Sequence, residues 1–408
     1  MLSRVYAAFL IGILCSACGT QEAEPPAGVV VSDSAGVRII DNGRLDLTLK
    51  LLAASEPALT IGVVEGPPEF QLFRISDAKR LSDGGIAVAN AGSRELRIYD
   101  PDGTHRRTAG GTGQGPSEFR YPTALTVLPG DTIMVQDFLD RVYFTAGGDF
   151  IRRETIDRGA FAALWSESGG MSEGGQWMAD GKLFAPVYRR SQDRPTTGPP
   201  FRPQMTFVRI SEDLARVDTL GVFGGILQQY VDVGGGRGPS ATVPPFATNT
   251  SWALGAGDGS ILAGDNSSPK VDRFLPDGSH VIVRWTADRS LVSPSEIEEW
   301  KDQQRNSEWT QGRLPELERA WAEMDIPDEK PYYGRISSGS DGTIWVAAAD
   351  GTPERTSIWA FSDDGTYEGC LEVPGRFTPF DSGEGWVLGL TQDENDVEFI
   401  KFYEIRNR

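Results

Sequence analysis

The chain has 408 residues, of which 58 are acidic and 39 basic, giving a net charge of −19. That excess of negative charge repels phosphate backbones and anionic lipid headgroups, so nucleic acid is not an expected partner. With three cysteines in the whole chain, no disulfide framework is available.

Residues 1–17 read as an address rather than as structure. Arg4 and the α-amine make a positive start, and residues 5–14 form an apolar run too short to span a bilayer. The stretch Leu14-Cys15-Ser16-Ala17-Cys18 resembles the lipobox of bacterial lipoproteins. That resemblance implies cleavage before Cys18, a lipid on its thiol, and a membrane reached through that lipid. Each buried lipid CH₂ contributes about 0.8 kcal/mol, so several acyl chains would anchor the protein permanently. Gly19 stands where lipoproteins retained in an inner membrane carry Asp, which implies an outer-membrane lipoprotein facing the periplasm or the cell surface. Residues 18–28 then read as a lipidated cysteine and a flexible tether. Losing Arg4 with the leader leaves 38 basic against 58 acidic residues, a net charge of −20. Cys370 remains, expected to behave as a small buried hydrophobe on a strand.

After residue 80 a two-strand unit recurs. A tight Asp/Gly turn leads into an apolar strand at Asp83-Gly84-Gly85-Ile86, Gly130-Asp131-Thr132-Ile133, Asp180-Gly181-Lys182-Leu183, Asp258-Gly259-Ser260-Ile261 and Asp341-Gly342-Thr343-Ile344, and more weakly at Gly383-Glu384-Gly385-Trp386. A second strand follows each, as at Ile98-Tyr99, Val142-Tyr143-Phe144 and Arg273-Phe274. A strand-and-turn period near 45 residues is the signature of a β-propeller. The fold class is therefore all-β: a six-bladed propeller over residues 29–408, closed by an N-terminal strand. Closure is expected between residues 36–41 and the final strand at 397–405, because no residues remain for an outer strand of the last blade. In blade 3 either residues 161–165 or residues 175–178 could be the inner strand.

Gly66-Pro67-Pro68-Glu69-Phe70 recurs as Gly115-Pro116-Ser117-Glu118-Phe119. Together with Gly130-Asp131-Thr132-Ile133-Met134-Val135 and Arg141-Val142-Tyr143-Phe144, these residues resemble the NHL-type repeat. The mature chain is similar to bacterial six-bladed propeller lipoproteins of that NHL- or TolB-like class. The resemblance implies a fold and leaves the activity open.

The Asp-Gly turns leave one face of such a ring plain, and three long insertions fall on the other: residues 189–204, 221–245 and 286–330. The third is expected to be helical and to lie between blades 4 and 5, because Ser293-Pro294-Ser295-Glu296 is a capping box with Pro at the first helical position. Trp300, Trp309 and Trp321 on it could form an aromatic lid or pack onto the rim. The loops on this face repeat a polar pair: Asn90 with Arg94, Asp137 with Arg141, Asp265 with Lys270, and Asp350 with Arg355. In loops this short each pair can satisfy itself, yet the cations also suit carboxylate or sulfate recognition.

Arg94, Asp137, Arg141, Asp265, Lys270, Asp350 and Arg355 are therefore the candidate ligand-binding residues. Asp137, Asp265, Asn266 and Asp350 are oxygen donors that could hold calcium, the one cofactor left open. His105 and His280 begin equivalent outer strands in blades on opposite sides of the ring, so they cannot share a zinc ion. Gly111-Thr112-Gly113-Gln114-Gly115 lacks the Lys of a phosphate loop, and Glu118 would repel phosphate. The expected function is non-enzymatic binding of an anionic small molecule, a glycan or a protein by a monomer. The alternatives are a calcium-dependent lactonase-like enzyme and a structural envelope scaffold.

Overall fold

The structure, a computed structural model, describes residues 28–166, 170–172, 175–189, 196–234, 238–255, 258–307, 310, 312–349, 355–393 and 395–407. Residues 1–27, which include Cys18, and Arg190, Arg194, Arg237, Trp309, Asp350 and Glu354 lie outside those residues.

Four short strands open the chain: β1 (Val30–Ser34), β2 (Val37–Arg44), β3 (Lys50–Ala53) and β4 (Leu59–Ile61). Antiparallel sheets follow, the first of β5 (Ile75–Arg80), β6 (Ile86–Asn90), β7 (Glu95–Tyr99) and β8 (His105–Gly110). The second holds β9 (Pro122–Leu128), β10 (Thr132–Asp137), β11 (Asp140–Phe144) and β12 (Phe150–Glu154). Helix α1 (Arg158–Ser166) leads to β13 (Gly170–Ser172) and β14 (Gln176–Trp177), which both pair with β15 (Leu183–Arg189), followed outward by β16 (Gln204–Ile210) and β17 (Val217–Gly224). A hairpin of β18 (Gln229–Asp232) and β19 (Pro239–Thr242) precedes the sheet of β20 (Thr250–Leu254), β21 (Ile261–Asp265), β22 (Lys270–Phe274) and β23 (His280–Thr286). Helices α2 (Pro294–Asn306) and α3 (Leu314–Glu323) come next. The chain ends with β24 (Tyr333–Ser338), β25 (Ile344–Ala348), β26 (Arg355–Phe361) and β27 (Tyr367–Pro374), then β28 (Arg376–Gly383), β29 (Trp386–Gln392) and β30 (Glu398–Asn407).

The recurrent turns form as their chemistry dictates. Asp83 accepts the Gly85 amide at 2.8 Å, and Asp258, Asp277 and Asp341 accept the amide two residues on in the same way. Gly84 between them sits at φ 87°, where a Cβ would be strained. Where the order is reversed, Leu128 stands opposite Thr132, and Gly130 and Asp131 both take positive φ in the three-residue turn between them.

Each sheet shares an apolar cluster with the next. Ala87 and Leu96 pack with Leu125 and Val135, Met134 with Trp177 and Leu183, Phe184 with Ile261, Leu262 with Ile344 and Phe361, and Trp345 with Phe377 and Val387. A last cluster joins Leu388 and Ile400 back to Ile75 and Val88, so the sheets form a propeller-like ring. Innermost strands are also stapled by side chains: Asp77 accepts the Leu125 amide at 2.9 Å, and Asp381 accepts the Arg80 amide at 3.0 Å.

Closure differs from the expectation for residues 36–41. Strand β2 runs parallel to β23, with Val37 opposite His280 and Ile40 opposite Val283, and β1 adds beyond it. The last sheet is completed instead by β4, with Ile61 opposite Ile400 and Leu59 opposite Phe402. Strand β3 sits between β27 and β30. Residues 30–61 therefore form a belt across the outer edges of the last three sheets. The short β4 wins the position because Ile61 drops fully into the final cluster, whereas Ile40 packs against Gly365 and Val283.

In the stretch read two ways, residues 161–165 belong to α1. Asp157 accepts the Ala160 amide at 2.9 Å and caps the helix, so residues 175–178 supply strand β14. The insertion read as starting at residue 221 begins later, because Gly221 and Gly224 are still in β17.

The capping box of α2 is formed: the Ser293 amide donates to Glu296 at 2.9 Å, and Ser293 Oγ accepts the Glu296 amide at 3.3 Å. The ammonium of Lys330 and these hydrogen bonds hold the Glu296 carboxyl at about 2, against an ordinary 4.5. A depressed carboxyl stabilises the fold above its unfolded pKa, and the contribution is lost as pH falls through the folded one. Amide-exchange protection in the first turn of α2 should therefore fall about fivefold between pH 5 and pH 2, the worth of one cap of about 1 kcal/mol. Glu296→Gln should flatten that profile, and an equal acid loss in the variant would mean that other groups cause it.

Candidate functional site

The described candidate residues lie at or beside the turns between second and third strands, and their partners are not those expected. Asp137 is fully buried and accepts the backbone amides of Arg120 at 3.0 Å and Tyr121 at 2.7 Å, besides the guanidinium of Arg153. Arg141 turns away from it, pairing with Glu212 at 2.6 Å and Glu154 at 3.0 Å while its guanidinium stacks over Trp177 at 4.1 Å. Asp265 takes Arg202 at 2.8 Å rather than Lys270, which pairs with Asp272 at 2.8 Å. Burial pushes the Asp265 carboxyl up, but Arg202 and Ser267 outweigh it and hold it below its ordinary value. Arg355 pairs with Glu372 at 2.6 Å. Asn90 holds the Phe73 amide at 2.8 Å and Ser93 at 2.6 Å, while Arg94 occupies the turn itself with φ 60°.

These positions share a structural task. Asn90, Asp137 and Asn266 each accept a backbone amide lying 17 residues upstream, from Phe73, Arg120 and Asn249. In these three sheets an acceptor at or just past the end of the second strand thus fastens the crossover that leads into the innermost strand. The oxygen donors read as calcium ligands, Asp137, Asp265 and Asn266, already meet hydrogen-bond donors. Among the described residues no group of three or more His, Cys, Asp or Glu could hold a metal ion. His105 meets Thr108 at 2.8 Å and His280 meets Asp272 at 2.9 Å, each on its own sheet. Glu118 folds the glycine-rich loop by accepting the Gly115 amide at 2.7 Å. Trp321 is buried with Trp300 set edge-on at 5.5 Å, so these two rings join α2 to α3 rather than form an open lid.

A concave site lies beside one of these turns. A cavity of about 800 Å³ opens between the second and third sheets, lined by Arg120, Phe138, Leu139, Arg158, Phe161 and Tyr188, and by Trp252 from β20. Phe138 sits in the β10–β11 turn at φ 56° with half of its surface exposed, a strained setting for a bulky apolar residue. Arg120 stacks over its ring at 5.5 Å, and Tyr121 packs 6.2 Å away. Thr123, Ala124, Gln176, Tyr188 and Trp252 also line a second cavity of about 660 Å³, which runs down the axis past Asp77, Lys79 and Arg335. There burial raises the Asp77 carboxyl, and Lys79 stays above its ordinary value because Asp77 and Asp381 outweigh its burial.

The lining residues were not apparent in the sequence, since Arg120, Phe138, Arg158, Tyr188 and Trp252 belong to five separate segments. One local signal was present: Asp157 before a short apolar run marks a helix N-terminus, and that helix carries Arg158 to the rim.

The sheets and their shared cavity define a propeller-like all-β protein. No family model matches the sequence, and no curated protein matches it. Among solved structures, the chain resembles a protein named as exported from Bacteroides fragilis at 11% identity, covering 90% of this chain and 99% of that one with a TM-score of 0.47. A DUF4221 member from Bacteroides vulgatus is 10% identical over 89% of this chain and 100% of its own, with a TM-score of 0.48. A regucalcin from Agrobacterium tumefaciens is 12% identical over 83% and 93%, with a TM-score of 0.38. At these scores the likenesses carry nothing about activity.

Proposed function

We propose that this chain is a lipid-anchored extracytoplasmic binding protein, built on a six-bladed propeller of NHL- or TolB-like repeats, that captures a small ligand on its insertion-bearing face. The observation that carries the reading is the 800 Å³ cavity, whose mixed aromatic and guanidinium wall is open at the rim and continuous with the axis. Its volume falls within the range of about 300–1,000 Å³ typical of ligand pockets, and apolar walls with a few placed polar groups are their usual composition. The lipobox-like Cys18 supports the membrane anchor, and the strongly acidic chain supports a partner other than nucleic acid.

The test is calorimetric titration of the purified protein with two aromatic probes, 2-naphthoate and its neutral amide. At least one should bind at one site per chain, and Trp252→Ala should weaken it about tenfold or more, since the variant removes the largest aromatic side chain of the wall. If neither probe binds, or Trp252→Ala binds both as the natural protein does, the cavity is not the site.

A further inference from the structure

We infer that the cavity selects an aromatic or otherwise apolar monocarboxylate, and that Arg158 is the residue that recognises its charge; this rests on the cavity reading above. Arg120 and Arg158 are the charged groups on the wall, and among the described lining residues there is no carboxylate. The rest of the wall is Phe138, Leu139, Phe161, Tyr188 and Trp252, with the neutral amides of Gln136 and Gln176 and smaller residues between them. A neutral aromatic body therefore meets rings, and an anionic end meets guanidinium.

The two arginines are not equivalent. Behind the wall, Arg120, Arg153 and Arg158 surround the buried carboxylates of Asp137 and Asp140, so three cations face two anions. Arg153 is fully engaged with Asp137, Asp140 and the Glu118 carbonyl. Arg120 is held by Asp140 at 2.7 Å and by its stack on Phe138. Arg158 approaches Asp140 only at 3.6 Å, on the same oxygen that Arg120 and Arg153 already crowd, and its side chain is 54% exposed. It is therefore the cation with donors to spare. Asp157, the carboxylate next to it in sequence, caps α1 through the Ala160 amide and lines a different groove with Glu154 and Glu212. A carboxylate in the cavity can take two parallel N–H bonds from Arg158, a geometry that lysine or a backbone amide cannot reproduce.

The same pair of probes tests this. The natural protein should bind 2-naphthoate at least about tenfold more tightly than 2-naphthamide, and Arg158→Gln should reduce naphthoate affinity to that of the amide. Arg216→Gln, an exposed cation outside the cavity, should preserve the preference and serves as the charge control. If acid and amide bind equally, the cavity is a ligand site without charge selection and the inference falls while the binding reading stands. If Arg158→Gln retains the preference, another cation reads the anion and the inference falls likewise. If neither probe binds, both readings fall.

Discussion

Asp137→Ala should lower the free energy of unfolding by about 3–5 kcal/mol, the usual penalty for stripping one partner from a buried, hydrogen-bonded ion pair. The residue is fully buried, and its two oxygens meet the Arg120 amide, the Tyr121 amide and the Arg153 guanidinium. Alanine leaves two backbone donors without their acceptor and removes one of the two carboxylates that hold Arg153, in a region closed to water. Asparagine keeps an oxygen for the two amides but loses the charge opposite Arg153, so Asp137→Asn should fall between. Arg94→Glu, at a partly exposed turn, should stay within about 0.5 kcal/mol of the natural protein. Urea unfolding of the three variants reads this order directly. The competing assignment of Asp137 to a calcium site makes the opposite forecast. An alanine variant with an unchanged urea midpoint and a lost calcium ion would establish the metal role and remove the structural one.

The contrast between what the sequence revealed and what it concealed follows from the range of the interactions. Asp-Gly turns are closed within three residues, as in Asp83 to Gly85, so residue identity alone determines them. Buried strands such as β6 and β11 declare themselves as apolar runs between such turns. The polar pairs misled because proximity in sequence was taken for contact. Asp137 lies four residues from Arg141, but across the β10–β11 hairpin Arg141 stands opposite Gln136, whose neighbour Asp137 points to the other face, and its true backbone partners approach from the crossover 16 and 17 residues upstream. The recurrence of that 17-residue spacing at Asn90, Asp137 and Asn266 is itself a sequence signal, visible once the acceptor is counted against the crossover rather than against the nearest cation. The cavity had no such signal. Its wall is assembled by the stacking of two sheets and a helix, and no local spacing encodes that.

Shortening the chain from its N-terminus should separate the closure expected of residues 36–41 from the one that β3 and β4 make. Removing residues through 44 deletes β1 and β2, which cover the outer edge of β23 and bury Ile40. This variant should still fold cooperatively, at a loss of about 1.5–3 kcal/mol for one buried aliphatic side chain. Removing residues through 63 also deletes β3 and β4, and with them the buried Leu51 and Ile61. That second cut bares β27 and the whole of β30 at once, and it strips the cluster that joins the last sheet to the first. Long unpaired edges recruit other chains, so the second variant should elute as aggregate and lose its cooperative urea transition. A peptide spanning residues 45–64, added in trans, should restore part of that transition, because it supplies both missing strands. Had residues 36–41 closed the ring against β30, the shorter deletion would already be the damaging one. Collapse at the first cut, or a stable monomer after the second, would each show that the ring is held by something other than β3 and β4.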